Sequence, residues 1–187
     1  VKIENEVVVP PKIYRDVMYI GTASGDLVAI SLKTAEIMWT RKLFADPIVS
    51  SPEIIEDFII LKSPQEDILL INPKNGETEK FIKNDGKMPD YKIIPYSSPL
   101  VDNGTIFYGT QGGELNAVNM KFERMWKTIL KEGVFHYVDT PLLLRELLIT
   151  CVHGKYIIAV NKEDGRKIWE KEMEKPSMVE IYEGGIV

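Results

Sequence analysis

Two histidines are the side chains of this sequence with the widest chemical range, since imidazole can bind a metal ion or carry a proton near neutral pH. They are His136 and His153, and no third ligand stands at a spacing typical of a zinc site. The aspartates that might hold calcium do not follow the pattern of a calcium loop; they are Asp46, Asp85, Asp90 and Asp139. We therefore expect no metal site, and we interpret His153 as an exposed loop residue.

Nucleophilic side chains occur without the neighbours that catalysis requires. The pairs Ser50-Ser51 and Ser97-Ser98 each precede a proline, so they belong to a repeated pattern. Cys151 is the single cysteine, which excludes an intramolecular disulfide, and we expect its thiol to be buried and unreactive. The glycine-rich segment 109–113 is similar to a phosphate loop, but no helix is expected after it. We expect no catalytic residues and no cofactor.

A motif that occurs four times accounts for most of these residues. Its copies begin at Gly21, Lys62, Gly109 and Cys151. They lead to an aromatic residue, which is Trp39, Phe81, Trp126 or Trp169. A proline opens each unit, at Pro11, Pro52, Pro99 and Pro141. Two markers share one period of roughly forty residues, which is typical of repeat proteins such as propellers.

Each unit contains four short apolar segments with the patterns of β-strands. Tight polar turns separate them, and Asn103-Gly104 is the strongest hairpin signal, because both residues tolerate positive φ. Four antiparallel strands per unit predict one propeller blade. The opening proline suits the innermost strand, whose free edge needs no N–H donor. We expect Trp39, Trp126 and Trp169 to fill the space between neighbouring blades and dock them together.

The units resemble the pyrroloquinoline-quinone (PQQ)-type repeat of quinoprotein-like β-propellers, in which Gly-x-x-x-Gly-x-Leu-x-Ala-x-Asp leads through Thr-Gly to Trp. The segments from Gly21 to Trp39 and from Gly109 to Trp126 carry this match. The usual Asp is replaced by Ser or Asn in each unit, and the usual turn glycine is Ala35 in the first. For function, the nearest analogy within this class is the BamB-type propeller.

The sequence therefore predicts an all-β protein, a β-propeller of four-stranded antiparallel blades with about four blades and part of a fifth. We expect a single domain over residues 1–187, with blades near 9–43, 50–82, 97–130 and 139–174 and a further blade beginning at 177–187. Proteins similar to this class close seven or eight blades, so an open arc would expose apolar faces. We favour a segment of a longer propeller; a homodimer of two half rings and a small ring closed by both termini are the alternatives.

Charge and hydropathy argue against two kinds of partner. The formal net charge is −5, and acidic and basic residues are interspersed, so no basic stripe is available for nucleic acid. No apolar run reaches the roughly eighteen residues of a membrane-spanning helix. No signal peptide is recognisable, and the location is implied only by the resemblance, which favours an extracytoplasmic or periplasmic protein.

We expect a non-catalytic scaffold that binds a protein or peptide partner through the loops between blades. Two connections, 83–96 and 131–139, are longer or richer in aromatic residues than the repeat requires. Loops on a rigid scaffold are common binding sites. The candidate partner-binding residues are Met88, Tyr91, Tyr96, Phe135, His136 and Tyr137. The alternative is that these side chains only cover the edges of blades.

Two other functions stay open at this point. The first is a fragment of a PQQ-dependent dehydrogenase, an oxidoreductase. The resemblance implies that such enzymes hold the quinone between a tryptophan and a disulfide of adjacent cysteines, beside a calcium ion. This sequence has no adjacent cysteines, so missing blades would have to supply them. The second is a sensory propeller domain of a larger protein.

Overall fold

A computed structural model describes residues 5–83, 97–132 and 137–173, together with the backbone of residues 181–182 and 185–186. All regular secondary structure within these ranges is β-strand. The strands form four four-stranded antiparallel sheets and one two-stranded hairpin. The predicted all-β class is confirmed, and so is the four-stranded blade as the repeating element.

Each sheet is built from four consecutive strands. Blade 1 comprises β1 (Lys12–Tyr14), β2 (Val17–Gly21), β3 (Asp26–Ser31) and β4 (Ile37–Lys42). Blade 2 comprises β5 (Glu53–Ile55), β6 (Phe58–Lys62), β7 (Ile68–Ile71) and β8 (Thr78–Ile82). Blade 3 comprises β9 (Leu100–Asp102), β10 (Thr105–Gly109), β11 (Glu114–Asn119) and β12 (Arg124–Ile129). Blade 4 comprises β13 (Leu142–Leu144), β14 (Leu147–Val152), β15 (Tyr156–Asn161) and β16 (Lys167–Glu172). The hairpin pairs β17 (Ile181–Tyr182) with β18 (Gly185–Ile186), where the sequence predicts the start of a further blade.

Each blade has two distinct ends, because its neighbouring strands are antiparallel. The turns from the first to the second strand and from the third to the fourth lie at one end, which we call the turn end. The loop from the second to the third strand and the segment that leaves the fourth strand lie at the other, the connection end. At the turn end of blade 3, Asn103 and Gly104 have φ values of 45° and 76°, as the Asn-Gly hairpin signal predicts.

The chain divides into two compact units, Val1–Asn84 and Asp85–Val187. The first unit contains blades 1 and 2, and its core cluster includes Leu27 and Ile59. The second contains blades 3 and 4, and its cluster includes Leu115 and Leu148. In both units the middle strands are mostly buried and the fourth strands are mostly exposed. The single domain over 1–187 stays a prediction.

The third and fourth strands of every blade contain a β-bulge at the same place. It follows Ala29 in blade 1, Leu70 in blade 2, Ala117 in blade 3 and Ala159 in blade 4. In three blades the residue paired with the one before the bulge is tryptophan, namely Trp39, Trp126 or Trp169. The bulge therefore fixes which residue of the fourth strand occupies the tryptophan position.

Blade 2 carries a lysine at this position. Leu70 pairs with Lys80, whereas Phe81 lies one residue further along, opposite Leu69. Successive residues of a strand point to opposite faces of the sheet. The equivalence between Phe81 and the tryptophans, drawn from the sequence, is therefore wrong, and the Phe81 side chain is 64% exposed.

Candidate functional site

Two of the three tryptophans connect their own blade to the next blade along the chain. Trp39 Nε1 donates a hydrogen bond to the backbone oxygen of Pro73 at 3.0 Å. Trp126 Nε1 donates to the backbone oxygen of Lys162 at 2.9 Å. Pro73 and Lys162 each follow an asparagine in the turn between the third and fourth strands of their blade. The same contact thus occurs once in each unit.

A glycine in the same turn lies directly against each indole ring. Gly76 has φ +73°, and a Cβ built on it would lie 2.7 Å from Trp39 Cζ3. Gly165 has φ +69°, and its Cβ would lie 2.5 Å from Trp126 Cε3. Ordinary carbon contacts are about 3.5–4.0 Å. Glycine is therefore required at both turns for its backbone conformation and for the space that the ring takes.

Further contacts join the strand of each tryptophan to the same turn. Arg41 Nε donates to the backbone oxygen of Asn75 at 2.8 Å, and Thr128 Oγ1 donates to that of Gly165 at 2.6 Å. Each indole also packs against an aromatic ring on the second strand of its own blade. These pairs are Tyr19–Trp39, with ring centroids 6.0 Å apart, and Phe107–Trp126, at 5.9 Å. The two junctions are alike, which is what a structural repeat requires.

Trp169 occupies the corresponding position on β16 of blade 4. It is 36% exposed, whereas Trp126 is 9% exposed. The greater exposure means that less of its surface is covered by neighbouring side chains. The docking role assigned to the three tryptophans stays a prediction, and the geometry of Trp39 and Trp126 shows how it would operate.

Of the candidate partner-binding residues, the structure describes only Tyr137. Met88, Tyr91, Tyr96, Phe135 and His136 lie outside the described residues. Tyr137 is half-buried at the connection end of the second unit, and its ring centroid is 5.4 Å from that of His153. Its backbone oxygen accepts a hydrogen bond from the His153 N–H at 2.9 Å. Burial is the main cause that raises the pKa of the Tyr137 phenol, so the hydroxyl stays protonated at neutral pH.

The residues with metal or nucleophile chemistry do not gather into a site within the part of the chain that the structure describes. There, no group of three or more His, Cys, Asp or Glu side chains is placed to hold a metal ion. His153 is exposed, as expected. Cys151 is buried, also as expected, and desolvation raises the pKa of its thiol from 9.0 to about 11. A protonated buried thiol is a weak nucleophile.

The acceptors of the indole hydrogen bonds are the part of the junction that sequence reasoning missed. The turn glycines Gly76 and Gly165 were visible as recurring turn residues, but their contact with a ring one blade earlier was not. The signal that could have found this contact is a recurrence in the sequence. In each unit, a turn that ends in glycine follows a tryptophan by about one repeat, and the turn reads Asn-Pro-Lys-Asn-Gly or Asn-Lys-Glu-Asp-Gly.

Four-stranded antiparallel sheets that repeat along the chain, with an indole contact between the two sheets of each unit, define a β-propeller of the PQQ-type repeat class. A family model described as "Outer membrane protein assembly factor BamB" matches residues 7–127 and 99–185. The chain belongs to this family. Among residues 5–83, 97–132 and 137–173, no helix has the length and apolar character needed to cross a membrane.

One curated relative and two solved structures are similar to this chain. The outer membrane protein assembly factor BamB of Alteromonas naphthalenivorans is 22% identical over 165 residues, which are 83% of this chain and 38% of the relative. The crystal structure of BamB from Moraxella catarrhalis superposes with a TM-score of 0.75 at 21% identity, covering 88% of this chain and 52% of that one. Quinohemoprotein alcohol dehydrogenase from Comamonas testosteroni gives a TM-score of 0.74 at 13% identity, covering 92% of this chain and 35% of the enzyme. The chain thus spans about half or less of the length of these relatives, and the structural likenesses show the fold.

Proposed function

We propose that this chain is a non-catalytic scaffold that binds a protein or peptide partner through the loops at the connection ends of its blades. The observation that carries the proposal is the family match over residues 7–127 and 99–185. Relatives of this family are named as outer membrane protein assembly factors. By this kinship the partner is a protein engaged in outer membrane assembly, and the chain works outside the cytoplasm.

Rigid junctions between blades support a role in binding. Each indole is held by a hydrogen bond across to the next blade, a ring contact within its own sheet and a close-fitting glycine. A surface that is already ordered before binding loses little conformational entropy when a partner arrives. The free energy of the new contacts is then available for affinity.

Tyr137 is the described residue that fits the proposed binding surface. It combines a ring contact with a phenol that stays protonated, and it stands next to Val138, which is 1% exposed and pairs with Val152. The ring is thus presented from a fixed backbone. Tyrosine is enriched in the energetically important centres of protein interfaces, since it supplies both apolar area and a hydrogen-bond donor.

Site-specific photo-crosslinking tests the proposal. A benzophenone side chain replaces Tyr137 in one variant and the exposed Phe81 on β8 in a control variant, and each is irradiated with envelope extract from the source cells. We expect one protein to be linked from position 137 and not from position 81. The purified partner should then bind the Tyr137→Ala variant about tenfold or more weakly. Identical adducts from both positions, or none from either, would refute binding at this surface.

The likeness to quinohemoprotein alcohol dehydrogenase shows the fold alone at 13% identity. No feature of the described residues favours a second function, and we propose none. Pairing of two copies into one ring stays a prediction, which native mass spectrometry of the 21.3 kDa chain can check.

A further inference from the structure

A cleft of about 360 Å³ opens at the turn end of blades 1 and 2. It is therefore at the opposite end of these blades from their connections. Its lining includes the apolar surfaces of Val17, Met38 and Pro73 and the charged groups of Arg15, Asp57 and Lys74. The volume is close to the lower limit for sites that take small ligands, about 300–1,000 Å³. It has room for one large side chain with its adjoining backbone.

The equivalent position in blades 3 and 4 is filled by a lysine. Lys162 stands where blade 2 has Pro73, and its ammonium lies 3.0 Å from Asp102 Oδ2 and 3.6 Å from Glu146 Oε2. By strand register, Asp102 and Glu146 correspond to Tyr14 and Asp57. Proline has neither the length nor the charge to make these contacts. The cleft is therefore the space that a plugging lysine occupies in the other unit.

One wall of the cleft is fixed by a network around a single carboxylate oxygen. Tyr14 Oη donates to Asp57 Oδ1 at 2.8 Å, and Arg15 Nη2 donates to the same oxygen at 2.6 Å. The Arg15 guanidinium carbon also lies 4.9 Å from the centroid of the Tyr14 ring. The hydrogen bond to Asp57 is the main cause that raises the pKa of Tyr14, so its hydroxyl remains a donor at neutral pH. This network neutralises the charge of Arg15 with that of Asp57.

Lys74 leaves the cleft with an excess of positive charge. Within the described ranges no ion pair is formed by its ammonium, and its counterpart in blade 4 is Glu163. The cleft has a net charge of +1, because Arg15 and Lys74 are cations and Asp57 is its single anion. The equivalent region of blades 3 and 4 has a negative net charge, because it combines one lysine with three acidic residues. These are Lys162 and Asp102, Glu146 and Glu163. In a chain of net charge −5, this cleft is suited to an anionic group beside an apolar one.

We propose that this cleft binds the C-terminal residue of a peptide or protein partner. An aromatic or long aliphatic side chain lies against Val17, Met38 and Pro73, and the α-carboxylate pairs with the Lys74 ammonium. A C-terminal residue carries its carboxylate on the same carbon as its side chain, so both groups fit in a small volume. This proposal rests on the proposed function as a protein-binding scaffold, but it uses the other end of the blades.

The two indole N–H groups provide a paired reporter for binding. Trp39 donates to the backbone of Pro73 in the cleft wall, whereas Trp126 donates to Lys162 at the plugged position. The probe is N-acetyl-Gly-Gly-Leu-Phe with a free carboxyl group, and the control is the same peptide as its C-terminal amide. In ¹H–¹⁵N correlation spectra, we expect the acid to shift the Trp39 indole signal saturably and to leave the Trp126 signal in place. The amide should bind about tenfold or more weakly, because it lacks the charge that faces Lys74.

Two variants locate the site. Pro73→Lys copies the plug of the second unit, keeps the backbone acceptor of the Trp39 N–H and should abolish the peptide-induced shift. Lys74→Ala should weaken binding of the acid about fivefold, whereas Lys80→Ala, which removes another exposed lysine of blade 2, should not change it. If Pro73→Lys fails to fold, the comparison of Lys74→Ala with Lys80→Ala still tests whether the peptide carboxylate binds at Lys74.

The proposal is overturned by any of three results: no shift at Trp39 with the acid, equal binding of acid and amide, or unchanged binding to folded Pro73→Lys. The Tyr137→Ala variant, altered at the connection end, should bind the probe as the parent chain does. Crosslinking from position 137 without a Trp39 shift would refute the cleft alone. A carboxylate-dependent Trp39 shift without crosslinking would refute the connection-end surface alone.

Discussion

Gly165→Ala tests most directly whether the indoles join the blades. The substitution adds one methyl group beneath Trp126 and has two separable effects. The first is a backbone effect, because an L-residue at φ +69° is less stable than glycine by about 1 kcal/mol. The second is a packing effect, because the new Cβ would lie 2.5 Å from Cε3 and 2.6 Å from Cδ2 of the indole.

The packing effect follows from the burial of the ring. Trp126 is 9% exposed, so it can move away from the methyl group only by disturbing the core of the second unit. Overpacking of this kind costs about 1–3 kcal/mol, and loss of the hydrogen bond to Lys162 adds about 1 kcal/mol. Together with the backbone effect of about 1 kcal/mol, these contributions should lower the free energy of unfolding by about 3–5 kcal/mol.

Gly104→Ala is the matched control in the same unit. Gly104 has φ +76°, and a Cβ built there meets no atom within 4 Å. This variant should lose only the backbone term of about 1 kcal/mol. In a Trp126→Leu background, Gly165→Ala should cost less than it does in the parent chain, because the ring that collides with the methyl group is absent and only the contact at 2.7 Å with Thr128 Oγ1 remains.

Urea unfolding followed by far-ultraviolet circular dichroism measures these differences. The midpoint should fall further for Gly165→Ala than for Gly104→Ala, with similar slopes for the two transitions. Equal losses for the two variants would refute the reasoning, because they would show that the indole does not occupy the space above Gly165. An unchanged cost of Gly165→Ala in the Trp126→Leu background would lead to the same conclusion.

Two further predictions concern single residues. Ala35 has φ +56° and is exposed, so Ala35→Gly should raise the free energy of unfolding by about 0.5–1 kcal/mol. Ala45→Gly is the control, because Ala45 is exposed but has no positive φ, and it should not raise the free energy of unfolding. Urea midpoints measure both changes, and a lower midpoint for Ala35→Gly would contradict the argument that Ala35 is strained. The pKa of Cys151 is raised in the folded protein from 9.0 to about 11, so the thiol should stabilise the fold fully below pH 9 and lose this contribution as the pH rises towards 11. Cys151→Ala should reduce that alkaline loss of stability, and an identical pH profile for the variant would contradict it.

The blades themselves were predictable from the sequence because their determinants are local. The strand β1 (Lys12–Tyr14) and the hairpin at Asn103-Gly104 follow from a proline, an apolar pattern and a turn signal that lie within a few residues of one another. The predicted equivalence between Phe81 and the tryptophans was wrong because it depends on the pairing between two strands, which the local pattern does not show. A bulge after Leu70 changes the pairing by one residue, and only the register shows that Lys80 takes the tryptophan position.

The contacts between blades depend on residues that are far apart in the chain. Trp39 donates to Pro73 and Trp126 to Lys162, so each junction joins a strand to a turn about one repeat later. The tryptophan spacing indicated that such junctions exist, but it did not identify the acceptor or show why glycine must lie beneath the ring.

By itself, the sequence determined the period, the strand order and the class of the fold, since these depend on local pattern and on recurrence. The tertiary structure alone decided which turn receives each indole and where a cleft is left open. Pro73 and Lys162 differ by one side chain in otherwise similar turns, and only the neighbouring blade shows that one leaves space and the other fills it. The physical reason is that packing is decided by volume and charge across sheets, which a linear pattern of apolar and polar residues does not contain.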